Sequence, residues 1–448
     1  MRPALPFEQK LGMRFYSTDF PGIGGKLKEQ FEDFVVEEIN PERDVIEVHA
    51  FGNEDTLEKP VSISGEQERF ICFTMQKIGL STTDVARILA SSLNLPWQMV
   101  SYAGLKDKRA ITAQIMSIPA SSADDLPQLE LHNIELRDFE YCSRQIQIGD
   151  LWGNRFTLLL RNPEVEHEKA LEYTEQMKNK AFLNYFGVQR FGVTRPNSHI
   201  IGKYVIKRDF RGALEELLVT TSEYESDELS EAREALSDDL TPTDKIIDAF
   251  PDYLRYEKKA MEHLAKNPED YRGAFAKIPP RIQTLFVHSY QSYLFNILVS
   301  ERAECEIPID MPVAGDFLVL EGEPHSGRDT WLFVTERTLQ EKRSLVQAGR
   351  YAVAAPLPGY STKLPPSKQT DLLMQVLEDE EISLRDFYND RMEPLSSPGG
   401  LHPISVKPLK LEIESTKDGL SVQFRLRRGS YATVIMRELM KNHPIHRA

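Results

Sequence analysis

The spacing of apolar residues along the chain predicts both strands and helices in the first 180 residues. Residues 69–75 (RFICFTM) combine aromatic and branched side chains, which is typical of a β-strand. Residues 81–84 (STTD) follow as a plausible helix start, and apolar residues then recur at helical spacing over residues 85–93. Pro96 ends this pattern. The first part of the chain is therefore predicted to mix strands and helices.

The remaining pattern predicts further elements and two irregular segments. Predicted strands lie at 156–160 and 421–427, the second with one basic face, and predicted helices at 165–182, 213–240 (acidic), 284–300 (apolar) and 433–441. A proline-rich loop is expected at 355–366. Residues 394–400 (PLSSPGG) form the clearest candidate linker between domains.

Composition places the chain among ordinary globular proteins. Of its 448 residues, 41% are apolar and 27% charged, which is enough for two or three domains with substantial cores. No stretch approaches the roughly 18–20 apolar residues of a membrane span. The first ten residues lack the apolar core of a signal peptide. We therefore expect a cytoplasmic protein that does not bind membranes.

The cysteines and histidines give no sign of a metal site. Cys72, Cys142 and Cys305 are odd in number and widely spaced, so we expect buried free thiols in a reducing compartment rather than a disulfide framework or a zinc cluster. The ten histidines include no H-x-H or H-x-x-x-H pair. The sequence thus predicts neither a metal nor a disulfide.

Charge is distributed unevenly along the chain. The formal net charge of −15 by itself speaks against a polyanionic partner. However, residues 213–250 hold twelve Asp and Glu against two basic residues, whereas residues 186–212 and 421–448 each have a balance of +5. Because a polyanion responds to the local field, basic patches on an acidic body remain compatible with RNA binding.

The first candidate for chemistry is the segment at 104–112 (GLKDKRAIT). It places the carboxylate of Asp107 among the cations of Lys106, Lys108 and Arg109, which favours the ionised form. An ionised aspartate can act as a nucleophile or a base, and the cations could hold phosphates beside it. From spacing alone, however, a charged surface turn is the better interpretation.

Two further segments combine aromatic rings with amides. Residues 153–157 (GNRFT) place Asn154 and Phe156 at a strand start, where the ring could stack on a base or lie in the core. Residues 184–192 (NYFGVQRFG) interleave three aromatics with Asn, Gln and Arg, which suits either readout of unstacked RNA bases or a glycine-bounded hinge. In contrast, the glycines at 22–25 do not fit a nucleotide-binding P-loop.

Taken together, these segments resemble the TruD-type tRNA pseudouridine synthases. The motifs that carry the resemblance occur in the family's order: Lys28 with EDFVVE at 32–37, YAGLKDKRAITAQ at 102–114, GNRF at 153–156, LR at 160–161, NYFGVQRFG at 184–192, QSYLFN at 291–296 and GSYAT at 429–433. One departure is Phe31, which stands where the family usually has proline. The matches span residues 28–433, most of the chain.

The resemblance implies an α+β fold. One domain would be a catalytic domain with a mixed, mainly antiparallel sheet, built from residues 1–180 and 396–448. The other would be a large α+β insertion domain at 181–395, and the two would form a V whose cleft holds RNA. A monomer is expected.

The resemblance also implies an isomerase that converts uridine to pseudouridine, at uridine 13 of tRNA, without cofactor or metal. Asp107 would be the essential catalytic residue, as nucleophile or as base, and Lys28 would pair with it. Phe156 would pack on the target uracil, and Asn154 would orient Asp107 or the base. The residues expected to contact RNA are Lys106, Lys108, Arg109, Gln189, Arg190, Arg428 and Tyr431.

Two other functions remain open at this stage. The same cleft could serve a non-catalytic RNA-binding or RNA-chaperone protein. A sugar-nucleotide hydrolase that uses Asp107 with a glutamate is the weaker alternative, because the sequence offers no well-placed second carboxylate.

Overall fold

The structure is a computed structural model that describes residues 1–50, 61–129, 131–236, 240–321 and 331–447. Its strands are β1 (Arg2–Pro3), β2 (Phe15–Tyr16), β3 (Gly24–Lys26), β4 (Phe34–Ile39), β5 (Phe70–Ile78), β6 (Ser101–Tyr102), β7 (Ile111–Pro119), β8 (Ile134–Cys142), β9 (Gly153–Pro163), β10 (Phe182–Leu183), β11 (Phe317–Leu320), β12 (Trp331–Phe333), β13 (Tyr351–Leu357), β14 (Gly400–Pro403), β15 (Ser405–Val406), β16 (Leu409–Thr416) and β17 (Gly419–Arg427).

The helices are α1 (Pro6–Gln9), α2 (Thr82–Ser92), α3 (His167–Met177), α4 (Ser198–Ile206), α5 (Phe210–Leu218), α6 (Asp227–Glu234), α7 (Asp244–Ala249), α8 (Arg255–Lys266), α9 (Tyr271–Phe275), α10 (Pro280–Glu304), α11 (Leu339–Gln347), α12 (Lys368–Asp379) and α13 (Ala432–Met440). The predicted strands at 69–75, 156–160 and 421–427 and the helices at 165–182, 284–300 and 433–441 correspond to β5, β9, β17, α3, α10 and α13.

One large sheet joins the two ends of the chain. Its strand order is β16-β17-β9-β4-β7-β5-β8, with β3 paired to β9 and β6 to β7. All of these pairings are antiparallel except β4 with β7. Alternate residues of β9 and β17, such as Leu158 and Val422, are fully buried, as the period of a half-buried strand requires. The α+β class with a mainly antiparallel sheet is confirmed.

Helix α2 begins where the polar residues after Gly79 predict it. The hydroxyl of Ser81 accepts a hydrogen bond from the backbone N–H of Asp84, and the carboxylate of Asp84 accepts from the N–H of Ser81. These hydrogen bonds with Ser81 hold the pKa of Asp84 below its usual value. The buried side chains Val85 and Leu89 join the core on β5 and β7, which fixes the helix beside the loop that precedes β7.

The insertion is built around the 25-residue helix α10. Its core includes residues from α4, α5, α8 and α12 and from the four-stranded sheet β12-β11-β13-β14. The chain's first residues also belong to this core, because Leu11 and Met13 are buried there and the amide of Asn296 donates to the carbonyl of Leu11 at 2.9 Å.

Strand pairing shows where the chain leaves and rejoins the large sheet, near the boundaries predicted at 180/181 and 395/396. Strand β14 still pairs with β13 of the insertion, so the chain returns to the large sheet only after Pro403. Strands β10 and β15 pair with each other at the crossing between the two parts. The sequence did not reveal this, because the proline and glycine residues at 394–400 precede one more strand of the insertion.

Three local predictions are corrected. The acidic stretch at 213–240 is not one helix: it contains the end of α5 and all of α6, and residues 237–239 lie outside the described residues. Part of the expected proline-rich loop at 355–366 is the end of β13. The cysteines of β5 and β8, Cys72 and Cys142, form a disulfide, and Cys305 is exposed. Antiparallel pairing of β5 with β8 brings the two cysteines together across 70 positions, which sequence spacing cannot reveal.

Across the ranges of the chain that the structure describes, no helix is both long enough and apolar enough to span a lipid bilayer.

Candidate active site

Asp107 lies in the loop between the paired strands β6 and β7. Its side chain is 44% exposed, and it lines a cavity of about 750 Å³ whose wall includes residues of the central strands β4 and β9. Strand β7 is held between β4 and β5, so the C-terminal end of the loop is fixed by the centre of the sheet. A carboxylate on a loop that leaves a rigid scaffold is suited to act on a bound substrate.

Buried hydrogen bonds fix the loop around Asp107. The ammonium of Lys106 donates to Glu38 on β4 at 2.7 Å, and both side chains are buried. The backbone N–H of Lys106 donates to the hydroxyl of Thr82 at 2.9 Å. The amide of Gln114 donates to the carbonyl of Gly104 at 3.0 Å. The loop is therefore held by side chains from β4, α2 and β7.

Lys106 thus corrects an expectation from the sequence. Its ammonium was expected to contact RNA, but its side chain turns inward and is neutralised by Glu38. A cation that is buried and paired in this way is less available to a phosphate than an exposed one, although Lys106 is among the residues that line the cavity of Asp107. Sequence spacing grouped Lys106 with the exposed cations because it does not show which cation of a charged loop faces the core.

Lys77 is a further residue of the site that the sequence did not reveal. It is fully buried on β5, and its ammonium donates to the backbone carbonyl of Asp107 at 2.7 Å. Burial lowers the pKa of Lys77 from 10.5 to about 8, although the negative charge of Asp107 opposes that shift. The sequence signal that could have indicated this residue is a single lysine near the end of a strand whose other residues are apolar or neutral.

Replacing Lys77 by Met should remove one pH-dependent part of the protein's stability. Because the pKa is lower in the folded state, the folded protein binds fewer protons between pH 8 and 10.5, and Lys77 adds stability as the pH rises through that window. The difference in unfolding free energy, wild type minus Lys77→Met, should therefore grow by about 3 kcal/mol across it. Urea unfolding of both proteins at several pH values measures this, and parallel profiles would contradict the assignment.

Lys28 and Asp107 meet across 79 positions of sequence. The Lys28 ammonium lies 3.5 Å from Oδ1 of Asp107 and 4.1 Å from the centre of the Phe34 ring. Lys28 is only 4% exposed and has a positive φ of 58°, so its backbone takes the left-handed conformation between β3 and β4. The structure brings this predicted pair together, with the ring of Phe34 beside the cation.

Asn154 and Phe156 lie on β9 and line the same cavity as Asp107. The buried Oδ1 of Asn154 has no hydrogen-bond partner among the described residues. Phe156 is 6% exposed and packs against Phe424 and Phe34, with ring centres 5.5 and 6.4 Å away. Phe156 therefore belongs to the core and also forms part of the cavity wall, so the two interpretations from the sequence are compatible.

The other expected RNA-contacting residues fall into two groups. Lys108 and Arg109 are exposed beside Asp107. The mouth of the cavity includes Gln189, Arg428 and the 55%-exposed Tyr431. The guanidinium of Arg428 donates to the carbonyl of Gly149.

Arg190 does not line the cavity of Asp107, although its neighbour Gln189 does. Its guanidinium donates to the hydroxyl of Ser292 on α10 at 3.0 Å, and burial lowers its pKa from the usual value. Asn296, also on α10, bonds both the N–H and the carbonyl of Phe186. The motif at 291–296 therefore holds the segment at 186–190 in place.

The fold and the site together define a class of protein. The N-terminal and C-terminal parts of the chain form one mainly antiparallel sheet. Beside it, a loop aspartate that is paired with a lysine lines a cavity with an aromatic wall. Within the described ranges, no group of three His, Cys, Asp or Glu residues is placed to hold a metal ion. A loop carboxylate beside a buried lysine and an aromatic wall is suited to chemistry on a bound nucleoside.

Comparison with known proteins identifies the family. The model of the family "tRNA pseudouridine synthase D (TruD)" matches residues 10–439. The probable tRNA pseudouridine synthase D of Methanosarcina mazei is 32% identical over 98% of both chains, and that of Thermococcus onnurineus is 31% identical over 96% of this chain and 97% of its own. The crystal structure of the putative tRNA pseudouridine synthase D from Methanosarcina mazei superposes with a TM-score of 0.80, 31% identity and 99% coverage of both chains. The chain belongs to the TruD family of tRNA pseudouridine synthases, which are isomerases.

Proposed function

We propose that the protein isomerises uridine 13 of tRNA to pseudouridine and that Asp107 is its essential catalytic residue. The observation that carries this proposal is the contact between Asp107 and the buried Lys28 in a cavity that also presents Asn154 and Phe156. The reaction needs no cofactor, because uracil is both the leaving group and the incoming group.

The reaction redistributes bonds within one nucleotide. The bond from C1′ of the ribose to N1 of uracil breaks, the uracil turns, and a bond from C1′ to C5 forms. The hydrogen on C5 leaves as a proton and N1 gains one, so the atoms balance. Asp107 either attacks C1′ or removes a proton from the sugar, and in both cases its carboxylate, which lies 3.5 Å from the ammonium of Lys28, is the reacting group.

The detached uracil must stay in the site while it turns. Phe156 offers a fixed ring surface, and stacking on such a ring offsets part of the cost of unstacking the target base, by roughly 1–3 kcal/mol. The buried Oδ1 of Asn154 needs a donor, and the N3–H of uracil supplies one. We assign Phe156 and Asn154 to holding and orienting the base.

The exposed cations around the cavity would bind the RNA backbone. Lys108 and Arg109 are exposed next to Asp107, and the half-buried Arg428 lines the cavity together with the polar side chains of Gln189 and Tyr431. Binding should weaken as salt rises, since each phosphate contact releases counterions. The net charge of −15 is no obstacle, because these residues act locally.

Tritium release from a tRNA transcript that contains 5-tritiated uridine tests the function, since loss of the C5 hydrogen accompanies isomerisation. One tritium should be released per tRNA, and a transcript with cytidine at position 13 should release none. Release from that transcript would contradict the assigned position. Tight binding without any release would favour the RNA-binding alternative.

Phe156→Leu should lower turnover more than Phe424→Leu does. The two rings stack on each other and are both buried, but only Phe156 lines the cavity. Each change should cost about 1–2 kcal/mol of stability, so Phe424→Leu is a control for loss of packing. Tritium release and thermal melting of both variants measure the comparison. Equal losses of turnover would restrict Phe156 to a core role.

A further inference from the structure

A second cavity of about 260 Å³ lies beside the first, at the junction between the two parts of the chain. The two cavities share three wall residues, Gln189, Tyr431 and Thr433. A ligand that fills the first cavity therefore leaves its immediate neighbour at the opening of the second. The volume is below the usual range of about 300–1,000 Å³ for drug-sized pockets, and it suits one ring system.

The walls of this second cavity combine flat, apolar and hydrogen-bonding surfaces. Phe186 provides a ring, with the guanidinium of Arg190 5.7 Å from its centre. Val188 and Val193 provide apolar surface, and Gln189 provides an exposed amide. Rings, guanidinium planes and amides are the groups that proteins use to hold unstacked bases.

These walls are fixed before any ligand binds. The hydroxyl of Ser292 holds Arg190, and Asn296 holds the backbone of Phe186 on both sides, with hydrogen bonds of 2.8 and 3.0 Å. A preformed site avoids most of the ordering cost of binding. The segment at 186–190 is therefore rigid because α10 supports it.

The floor of the cavity favours a neutral ligand over a free anion. The fully buried Glu8 accepts hydrogen bonds from Arg437 at 3.0 Å and from Arg447 at 2.8 Å, and Tyr16 donates to it at 2.7 Å. Arg437 also lies 3.5 Å from Glu438. Both guanidinium groups are thus paired with Glu8, and a bound phosphate would have to compete with that buried carboxylate. The buried Nε of Arg447 has no hydrogen-bond partner among the described residues, so a neutral acceptor, such as a base carbonyl, could still be bound there.

We propose that the second cavity binds the base of a nucleotide adjacent to the target uridine in the same RNA strand. This proposal rests on the proposed function, because the target uridine occupies the first cavity. Capture of a second base would hold the strand in an opened conformation, and the shape of the cavity would contribute to the choice of sequence around the target. Residues of this site, rather than the catalytic residues, would then read the flanking base.

The test is a cycle that combines a protein change with an RNA change. Val193→Phe fills the second cavity without touching the first, because Val193 lines only the second. The RNA change is a single abasic residue at position 12 or at position 14 of a tRNA. Dissociation constants are measured by filter binding, so the result does not depend on turnover.

For the wild-type protein, one of the two abasic tRNAs should bind about tenfold more weakly than intact tRNA. Val193→Phe should bind intact tRNA about tenfold more weakly, and the same abasic residue should then cause no further loss. Equal sensitivity of the two proteins to base removal, or no effect of either abasic residue on the wild type, would overturn the proposal.

Two additions keep the outcomes distinct. Val188→Phe fills the cavity from another wall and should repeat the result if Val193→Phe fails to fold, as judged by thermal melting. Ile200→Phe, at an exposed position of α4, is the control for an added ring. Absence of tritium release with the coupling intact would contradict the proposed function but not base capture in the second cavity. Absence of coupling with tritium release intact would contradict only the second cavity.

Discussion

Asp107→Asn is expected to form no pseudouridine above background, a loss of at least about a thousandfold, while tRNA binding stays within severalfold of the wild type. The amide has the size of the carboxylate but can neither attack a sugar carbon nor accept its proton. The loop should keep its position, because Lys77 bonds the backbone carbonyl of Asp107 rather than its side chain. Tritium release, measured at saturating enzyme, and filter binding give the two readouts.

A matched control for this variant is Asp84→Asn. Asp84 carries a carboxylate close enough to Lys108 for their charges to interact, but it lies in the first turn of helix α2, where it accepts from the N–H of Ser81, and it does not line the cavity. Asparagine keeps a side-chain oxygen that can accept from the N–H of Ser81, so the change should cost little stability and leave turnover within about twofold. Retained turnover in Asp107→Asn would contradict the catalytic assignment, and an equal loss in Asp84→Asn would indicate a general effect of charge.

The sequence predicted most of the elements that carry the site. A run of aromatic and branched residues identified β5, the apolar residues at 156–160 identified β9, and alternation at 421–427 identified β17. The polar start at Ser81 identified α2, because all of these patterns depend on neighbours a few positions apart. The resemblance to a family, rather than local chemistry, selected Asp107 over a charged surface turn. The contact of Lys28 with Asp107 followed from that resemblance and is present in the structure.

Features that depend on long-range pairing were missed. The disulfide of Cys72 and Cys142 requires knowledge that β5 and β8 are adjacent. The buried role of Lys106 requires knowledge that β4 places Glu38 beneath the loop. The loop at 103–110 has no regular period, so its sequence does not indicate which side chains point inward. Charge pattern alone therefore grouped Lys106 with Lys108, although the structure separates them.

The different positions of Lys106 and Lys108 predict a second large effect, on stability. Lys106→Ala should lower the free energy of unfolding by about 3–5 kcal/mol, because it leaves the carboxylate of Glu38 buried without its cation. It should also lower turnover at temperatures where the variant is folded, since the Lys106–Glu38 contact ties the Asp107 loop to β4. Urea unfolding and tritium release measure the two effects.

Lys108→Ala is the matched control, two positions further along the same loop. Its side chain is exposed, so stability should change by less than about 0.5 kcal/mol, whereas tRNA affinity should fall and the salt dependence should decrease by about one phosphate contact. The pair of variants separates a cation that supports the loop from one that meets RNA. Similar stability of the two variants would contradict the inward role of Lys106.

The double variant Glu38→Gln with Lys106→Met tests why Lys106→Ala loses stability. Removing both charges leaves no unpaired ion in the core, and glutamine keeps an acceptor for the N–H of Ile115, which lies 3.1 Å from Glu38 in the wild type. Stability should therefore recover to within about 1 kcal/mol of the wild type. If it stays as low as in Lys106→Ala, the lost lysine packing rather than the unpaired charge is responsible. Recovery of stability without recovery of turnover would mean that the ion pair itself sets the position of Asp107.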